Sequence, residues 1–213
     1  TAAEPKVIGW RHHIHANPEL SNREACTAAF VAEHLRALGL DEVRTEIAGH
    51  GVVGVLRGGR PGDRVMALRA DMDALPVLET SGVDFASTVV DNDYPGGPFP
   101  VAHACGHDCH TAMLMGAAEV LAGLREDLAG TVLFVFQPAE EGPPVDEDGG
   151  AQAMLDAGAL DDPVPTMVFG MHVGPAPKGV VGYSVGTTYS ASVLLKITII
   201  GKQVHGSTPW GGI

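Results

Sequence analysis

The chain has 213 residues, 45% of them apolar and 18% charged, with 28 glycines and 15 prolines spread along it. That length and apolar share suit one ordinary domain, or two small ones, around a buried core, and they exclude a disordered or fibrous protein. Thirteen basic against 26 acidic residues give a formal charge of −13, which repels phosphate backbones and anionic lipid and so argues against nucleic-acid and membrane-surface partners while suiting metal cations.

The longest apolar runs, such as residues 132–136, are far too short to span a bilayer, and no basic-then-apolar segment opens the chain. Three cysteines (Cys26, Cys105 and Cys109) are too few and too oddly spaced for a disulfide framework. Free thiols favour a reducing, cytoplasmic compartment. Because the first residue is Thr1 rather than Met, an exported precursor that has lost its leader is the alternative.

Residues 5–16 read as a short helix. Ser21-Asn22-Arg23-Glu24 has the pattern of a capping box, in which Ser and Glu side chains satisfy backbone donors reciprocally. The helix it opens carries Ala25, Ala28, Val31, Leu35 and Leu38 near helical period and stops at Gly39. Strands are expected over 43–48 and 52–57, joined by a turn at Gly49-His50-Gly51, and over 64–70. Residues 80–100, rich in Gly, Pro and Asp, read as loop. A helix is expected over 107–124, a strand covered on both faces over 131–136, a helix over 150–157, a buried strand over 166–171 and another over 180–185. This alternation predicts an α/β fold with a mostly parallel central sheet flanked by helices. Residues 193–200 read as a long strand of different texture that begins a second domain.

Four clusters fall at or just beyond strand ends, where open α/β sheets bind ligands. Asp71-Met72-Asp73 sets two carboxylates on the same side of an extended segment, a pattern also compatible with a solvated loop. His103-Ala104-Cys105-Gly106-His107-Asp108-Cys109-His110 packs three imidazoles and two thiols into eight residues, a donor set for Zn, Mn or Co. Glu140-Glu141 places adjacent, mutually repelling carboxylates at a strand end, which is costly unless a cation sits there. Successive side chains diverge, so one glutamate can ligate a metal while its neighbour acts as general base. His172 follows the 166–171 strand and gains meaning from the other three clusters. His12, His13 and His15 lie in the first helix with no carboxylate or thiol near them in sequence and read as surface. His205-Gly206-Ser207 could be an ordinary turn.

Four motifs come in a characteristic order: Arg69-Ala70-Asp71-Met72-Asp73-Ala74-Leu75-Pro76, His103-Ala104-Cys105-Gly106-His107-Asp108, Gln137-Pro138-Ala139-Glu140-Glu141-Gly142 and Met171-His172-Val173-Gly174. Together with Trp10-Arg11 and Asn17-Pro18-Glu19-Leu20-Ser21, they resemble the amidohydrolase branch of the aminoacylase and carboxypeptidase metallohydrolases. That branch includes hippurate hydrolases, N-acyl-amino-acid amidohydrolases and auxin-conjugate hydrolases. The resemblance implies a catalytic zinc-peptidase-like domain, here residues 1–188, with a lid domain that usually forms a homodimer and would begin at 189–213. It implies two divalent ions, Zn or Mn first and Co or Ni next, held by Cys105, His107, Glu141 and His172, with Cys105 a candidate bridge. Glu140 would be the general base. Asp73 would support a ligand, and His205 would reach a neighbouring subunit's site to stabilise the oxyanion. Asp71 stands where related branches carry a His ligand, so its own metal role stays open.

The resemblance also implies a chain nearly twice as long, with one more His ligand near its end; 213 residues alone would lack that ligand and show little or no activity. The expected reaction is hydrolysis of small N-acyl amino acids by metal-activated water. The rivals are a dipeptidase or carboxypeptidase on the same fold, a non-catalytic metal-binding module, and a covalent mechanism with Cys105 as nucleophile.

Overall fold

A computed structural model describes residues 3–190, 195 and 197–212. They fall into two compact units, Thr1–Pro175 and Ala176–Ile213. The first contains α1 (Glu4–Ala16), α2 (Ala25–Ala37), β1 (Glu42–Ile47), β2 (Gly51–Arg57), β3 (Arg60–Asp71), the two-residue strands β4 (Val90–Asp91) and β5 (Phe99–Pro100), α3 (His107–Gly123), β6 (Ala129–Gln137), α4 (Gly150–Asp156) and β7 (Met167–Gly170).

The main sheet runs in the order β1-β2-β6-β3-β7. The β1/β2 and β2/β6 pairs are antiparallel, and the β6/β3 and β3/β7 pairs are parallel. Four of the five strands therefore point the same way, with β2 opposed, in line with the expected mostly parallel sheet. The period-2 alternation of strands sorts side chains onto two faces. Val52 and Leu56 of β2 and Phe134 and Phe136 of β6 join Val31, Leu35 and Met115 on the face covered by α2 and α3. Val53 and Val55 of β2 and Leu133 and Val135 of β6 meet Met154 of α4 on the other. β6 is thus buried on both faces, which is why its sequence is an unbroken apolar run. Gly54 admits the helix layer, since a Cβ there would lie 2.7 Å from Leu40 Cδ2 and 3.0 Å from Leu35 Cδ1.

Helix boundaries match the periodicity closely, and Gly39, at φ 69°, takes the left-handed conformation after α2. The capping box does not form. Ser21 Oγ donates instead to Asp73 Oδ2 at 2.7 Å, and Glu24 Oε1 accepts from Ala139 N at 2.7 Å. The donors at the start of α2 go to Glu19, whose carboxylate accepts from the backbone of Cys26 and Thr27 and from Thr27 Oγ1, a negative group at the positive helix end. His15 is likewise not a surface residue. It is buried between Asp108 (Nδ1 to Oδ2, 2.8 Å) and Glu79 (Nε2 to Oε2, 3.0 Å), with Arg11 on the same Asp108 oxygen.

β7 occurs where expected but is exposed along its length rather than buried, because among the described residues it ends the sheet order and pairs on one side only. In the second unit no strand forms over 180–185, where the described residues offer no neighbouring strand to take up the backbone donors and acceptors. Of the strand expected over 193–200, residues 193, 194 and 196 lie outside the described residues, and the remainder carry no strand. Among the described residues no helix is long and apolar enough to cross a membrane.

Glu24 is fully buried, and burial, with only partial compensation from backbone donors, raises its pKa to about 7 from the ordinary 4.5. The folded state therefore keeps a proton that the unfolded chain loses between these values. The stabilisation is complete below about pH 4.5 and disappears as pH rises through about 7. Glu24→Gln keeps an acceptor for Ala139 N and cannot ionise. Its stability relative to the parent should improve by about 2 kcal/mol between pH 5 and pH 8 in urea titrations; parallel curves would show that Glu24 does not titrate in this window.

Candidate metal centre

Parallel pairing brings three strand ends to one edge of the sheet. Asp71 at the end of β3 is in register with Gln137 at the end of β6, and Arg69 with Gly170 at the end of β7. The chain beyond each end supplies a functional group: Asp73 after β3, Glu140 and Glu141 after β6, and His172 after β7. Cys105 and His107 arrive at the start of α3, where Gly106 turns the chain at φ 88°. A Cβ on Gly106 would lie 2.3 Å from Val173 Cγ2, so the glycine also lets the segment carrying His172 approach.

The residues meet around His107. Ligand atoms of Cys105, His107 and His172 lie within 4.8 Å of one another, as do those of His107, Glu140 and Glu141 and those of Asp71, His107 and His110. Cys105 Sγ is 3.4 Å from His172 Nε2. His107 Nδ1 is 3.2 Å from Asp73 Oδ1, and its Nε2 is 3.7 Å from both Glu140 Oε2 and Glu141 Oε1 and 3.8 Å from Asp71 Oδ2. Those three contacts are too long for hydrogen bonds, and Nε2 is buried without a hydrogen-bond partner among the described residues.

Asp73 holds this arrangement from below. Its Oδ2 accepts from Ser21 Oγ at 2.7 Å and from Glu141 N at 2.9 Å, while Oδ1 faces His107. Glu24 holds Ala139, which adopts a left-handed φ of 51° immediately before the glutamate pair. The spacing of Ser21 and Glu24 matches a local cap, and nothing local distinguishes a cap from a side chain turned toward a distant strand.

The charge balance is one-sided. Burial first, then the bond to Glu141 and the charges of Glu141, Glu140 and Asp71, pushes the Cys105 thiol up to about 12. Burial disfavours charge on His107, but its bond to Asp73 and the surrounding carboxylates outweigh this and lift it to about 9. Burial, then the neighbouring Asp71, raises Glu140 above the usual carboxylate range. Positive charge is what this pocket lacks, and a thiol, two imidazoles and a carboxylate are the donors that bind divalent transition metals. The residues fit such a group, with the unbonded His107 Nε2 as the clearest sign.

Three members of the sequence cluster fall outside it. His103 is buried with neither ring nitrogen bonded among the described residues, and burial lowers it to about 4, so it is neutral. Burial raises the Cys109 thiol. Both nitrogens of His110 are engaged, by Asp71 and by Val173 N. Asp71 itself is held by Arg69 Nη1 at 2.6 Å and by His110 Nδ1 at 2.5 Å, which lowers its pKa to about 2 despite burial. His205 belongs to the second unit, where its Nδ1 accepts from Ser207 N at 3.2 Å.

An N-acyl-L-amino acid amidohydrolase of Geobacillus stearothermophilus is 44% identical over 204 residues, covering 95% of this chain and 50% of the relative. Thermostable carboxypeptidase 2 of Saccharolobus solfataricus is 42% identical over 207 residues, covering 97% and 49%. The chain thus spans about half the length of these curated relatives. Among solved structures, the Bacillus subtilis YXEP protein, described as a dinuclear metal binding peptidase, matches with a TM-score of 0.69 and 37% identity over 82% of this chain and 44% of its own. The model of peptidase family M20/M25/M40 matches residues 67–210, a span that contains every candidate ligand, and the chain belongs to that family.

Proposed function

We propose that this chain carries the metal centre of an amidohydrolase that cleaves the amide bond of N-acyl amino acids or similar small conjugates. The observation that supports the reading best is the buried, unbonded His107 Nε2, facing oxygens of Glu140, Glu141 and Asp71 beside Cys105 and His172. Cys105, His107, Glu141 and His172 would hold the metal. The mixed sulfur, nitrogen and oxygen donors suit Zn or Mn and admit Co or Ni.

Bound there, divalent cations acidify water and polarise the scissile carbonyl. Glu140, with its affinity for a proton raised, takes a proton from the attacking water and returns it to the leaving amine. Asp73 accepts the Nδ1 proton of His107, so Nε2 is the nitrogen that would turn to a cation once its own proton is displaced. His205 accepts Ser207 N–H at Nδ1, so its own proton sits on Nε2, available to an oxyanion. Residues 1–188 form the N-terminal part of the catalytic domain, and 189–213 open a lid through which two copies pair and His205 serves the neighbouring site.

The carboxypeptidase name of the Saccharolobus relative favours a second reading, peptide-bond hydrolysis by the same site. A substrate panel on the full-length gene product loaded with Zn or Mn separates the two: N-acetyl and N-benzoyl amino acids should be hydrolysed in preference to dipeptides. In that protein Glu140→Gln should lower kcat by roughly 10²–10⁴ with metal content unchanged, as read by steady-state kinetics beside elemental analysis. Full activity in this variant would strip Glu140 of its role. Chelation should lower the melting temperature by several degrees, because ligand binding at 100 to 1,000 times Kd stabilises by roughly 3–4 kcal/mol. An unchanged melt would show that the acidic cluster does not need a cation.

A further inference from the structure

We propose that His110 is a positioning residue of the metal centre: it holds Val173 so that the His172 proton stays on Nδ1 and Nε2 faces Cys105 as a lone pair. The proposal rests on the reading of His172 as a ligand and deepens it.

Donor and acceptor chemistry fixes the proton on each ring. A backbone amide can only donate, and Val173 N donates to His110 Nε2 at 2.9 Å. His110 therefore carries no proton on Nε2 in this arrangement, and its proton lies on Nδ1, 2.5 Å from Asp71 Oδ1. A carbonyl can only accept, and Val173 O lies 2.7 Å from His172 Nδ1. In the neutral ring the His172 proton is therefore on Nδ1, which makes Nε2, 3.4 Å from Cys105 Sγ, the lone-pair nitrogen. Val173 is the shared element: its N–H is gripped by His110, and its carbonyl grips His172.

The grip is anchored in the sheet. Asp71 is held by Arg69 Nη1 at 2.6 Å, and Arg69 Nε and Nη2 donate to Gln137 Oε1 at 3.0 and 2.7 Å. Asp71 O also accepts from Thr111 Oγ1 at 2.8 Å, which ties α3 to β3 beside His110. His110 is buried, and its ring lies edge-on to His172 with centroids 4.5 Å apart. Val173 Cγ2 fills the space beside Gly106. The residue after His172 is thus located by a hydrogen bond and by packing, both directed from the first turn of α3. Asp71, His107 and His110 also place ligand atoms within 4.8 Å of one another, yet both His110 nitrogens are already used.

The test uses the full-length gene product with ¹⁵N-labelled histidine. In the metal-free parent, long-range ¹H–¹⁵N correlation spectra should show Nδ1–H tautomers for both His110 and His172. An Nε2–H tautomer at either ring overturns the proposal without any variant. His110→Phe keeps a buried ring and removes the acceptor. It should give His172 a mixture of tautomers and weaken zinc binding by roughly 10- to 100-fold in competition titrations. His110→Gln, which offers an oxygen to Val173 N and an amide to Asp71, should restore both. A folded His110→Phe protein with an unchanged His172 tautomer refutes the positioning role. A changed tautomer with unchanged zinc affinity instead refutes His172 as a ligand and leaves the hydrogen-bond relay standing.

Discussion

The organising constraint of this molecule is the concentration of negative charge around one buried imidazole. His107 is fully buried, bonded through one nitrogen to Asp73, and confronted at the other by three carboxylate groups it does not hydrogen-bond. Like charges at such spacing repel strongly in a low-dielectric setting. They stay together because each is tied by a different part of the fold: Asp71 by Arg69 and His110, Asp73 by Ser21 and the backbone of Glu141, and the glutamate pair through Ala139, which Glu24 secures. The sheet provides the platform, since parallel register alone puts the ends of β3, β6 and β7 side by side.

Much of this was legible in the residues. β6 announced itself because a strand covered on both faces must be apolar throughout. α3 was readable from its period, and the ligand cluster from the density of thiols and imidazoles at its start. The ends of parallel strands are where α/β sheets bind ligands, so placing four clusters at strand ends was enough to gather most of the site.

The misreadings share one physical cause: side chains that looked locally explained were committed to distant partners. Ser21 and Glu24 fitted a cap but serve Asp73 and Ala139, while the capping falls to Glu19, five residues before Glu24. His15 had no acid near it in sequence and found Asp108 across 93 positions. The spacing of Arg11 and His15, one helical turn apart on the same face, was the available signal, since both converge on that carboxylate. The apolar composition of β7 is that of a covered strand, whereas its place at the sheet margin among the described residues leaves Met167, Val168 and Phe169 exposed.

That margin has a consequence for handling the polypeptide. A strand with one ladder of backbone groups unclaimed among the described residues, and with bulky apolar side chains beside it, is a ready template for another chain to extend. Its four-residue length gives little purchase. Self-association through this edge would therefore begin at Met167–Gly170.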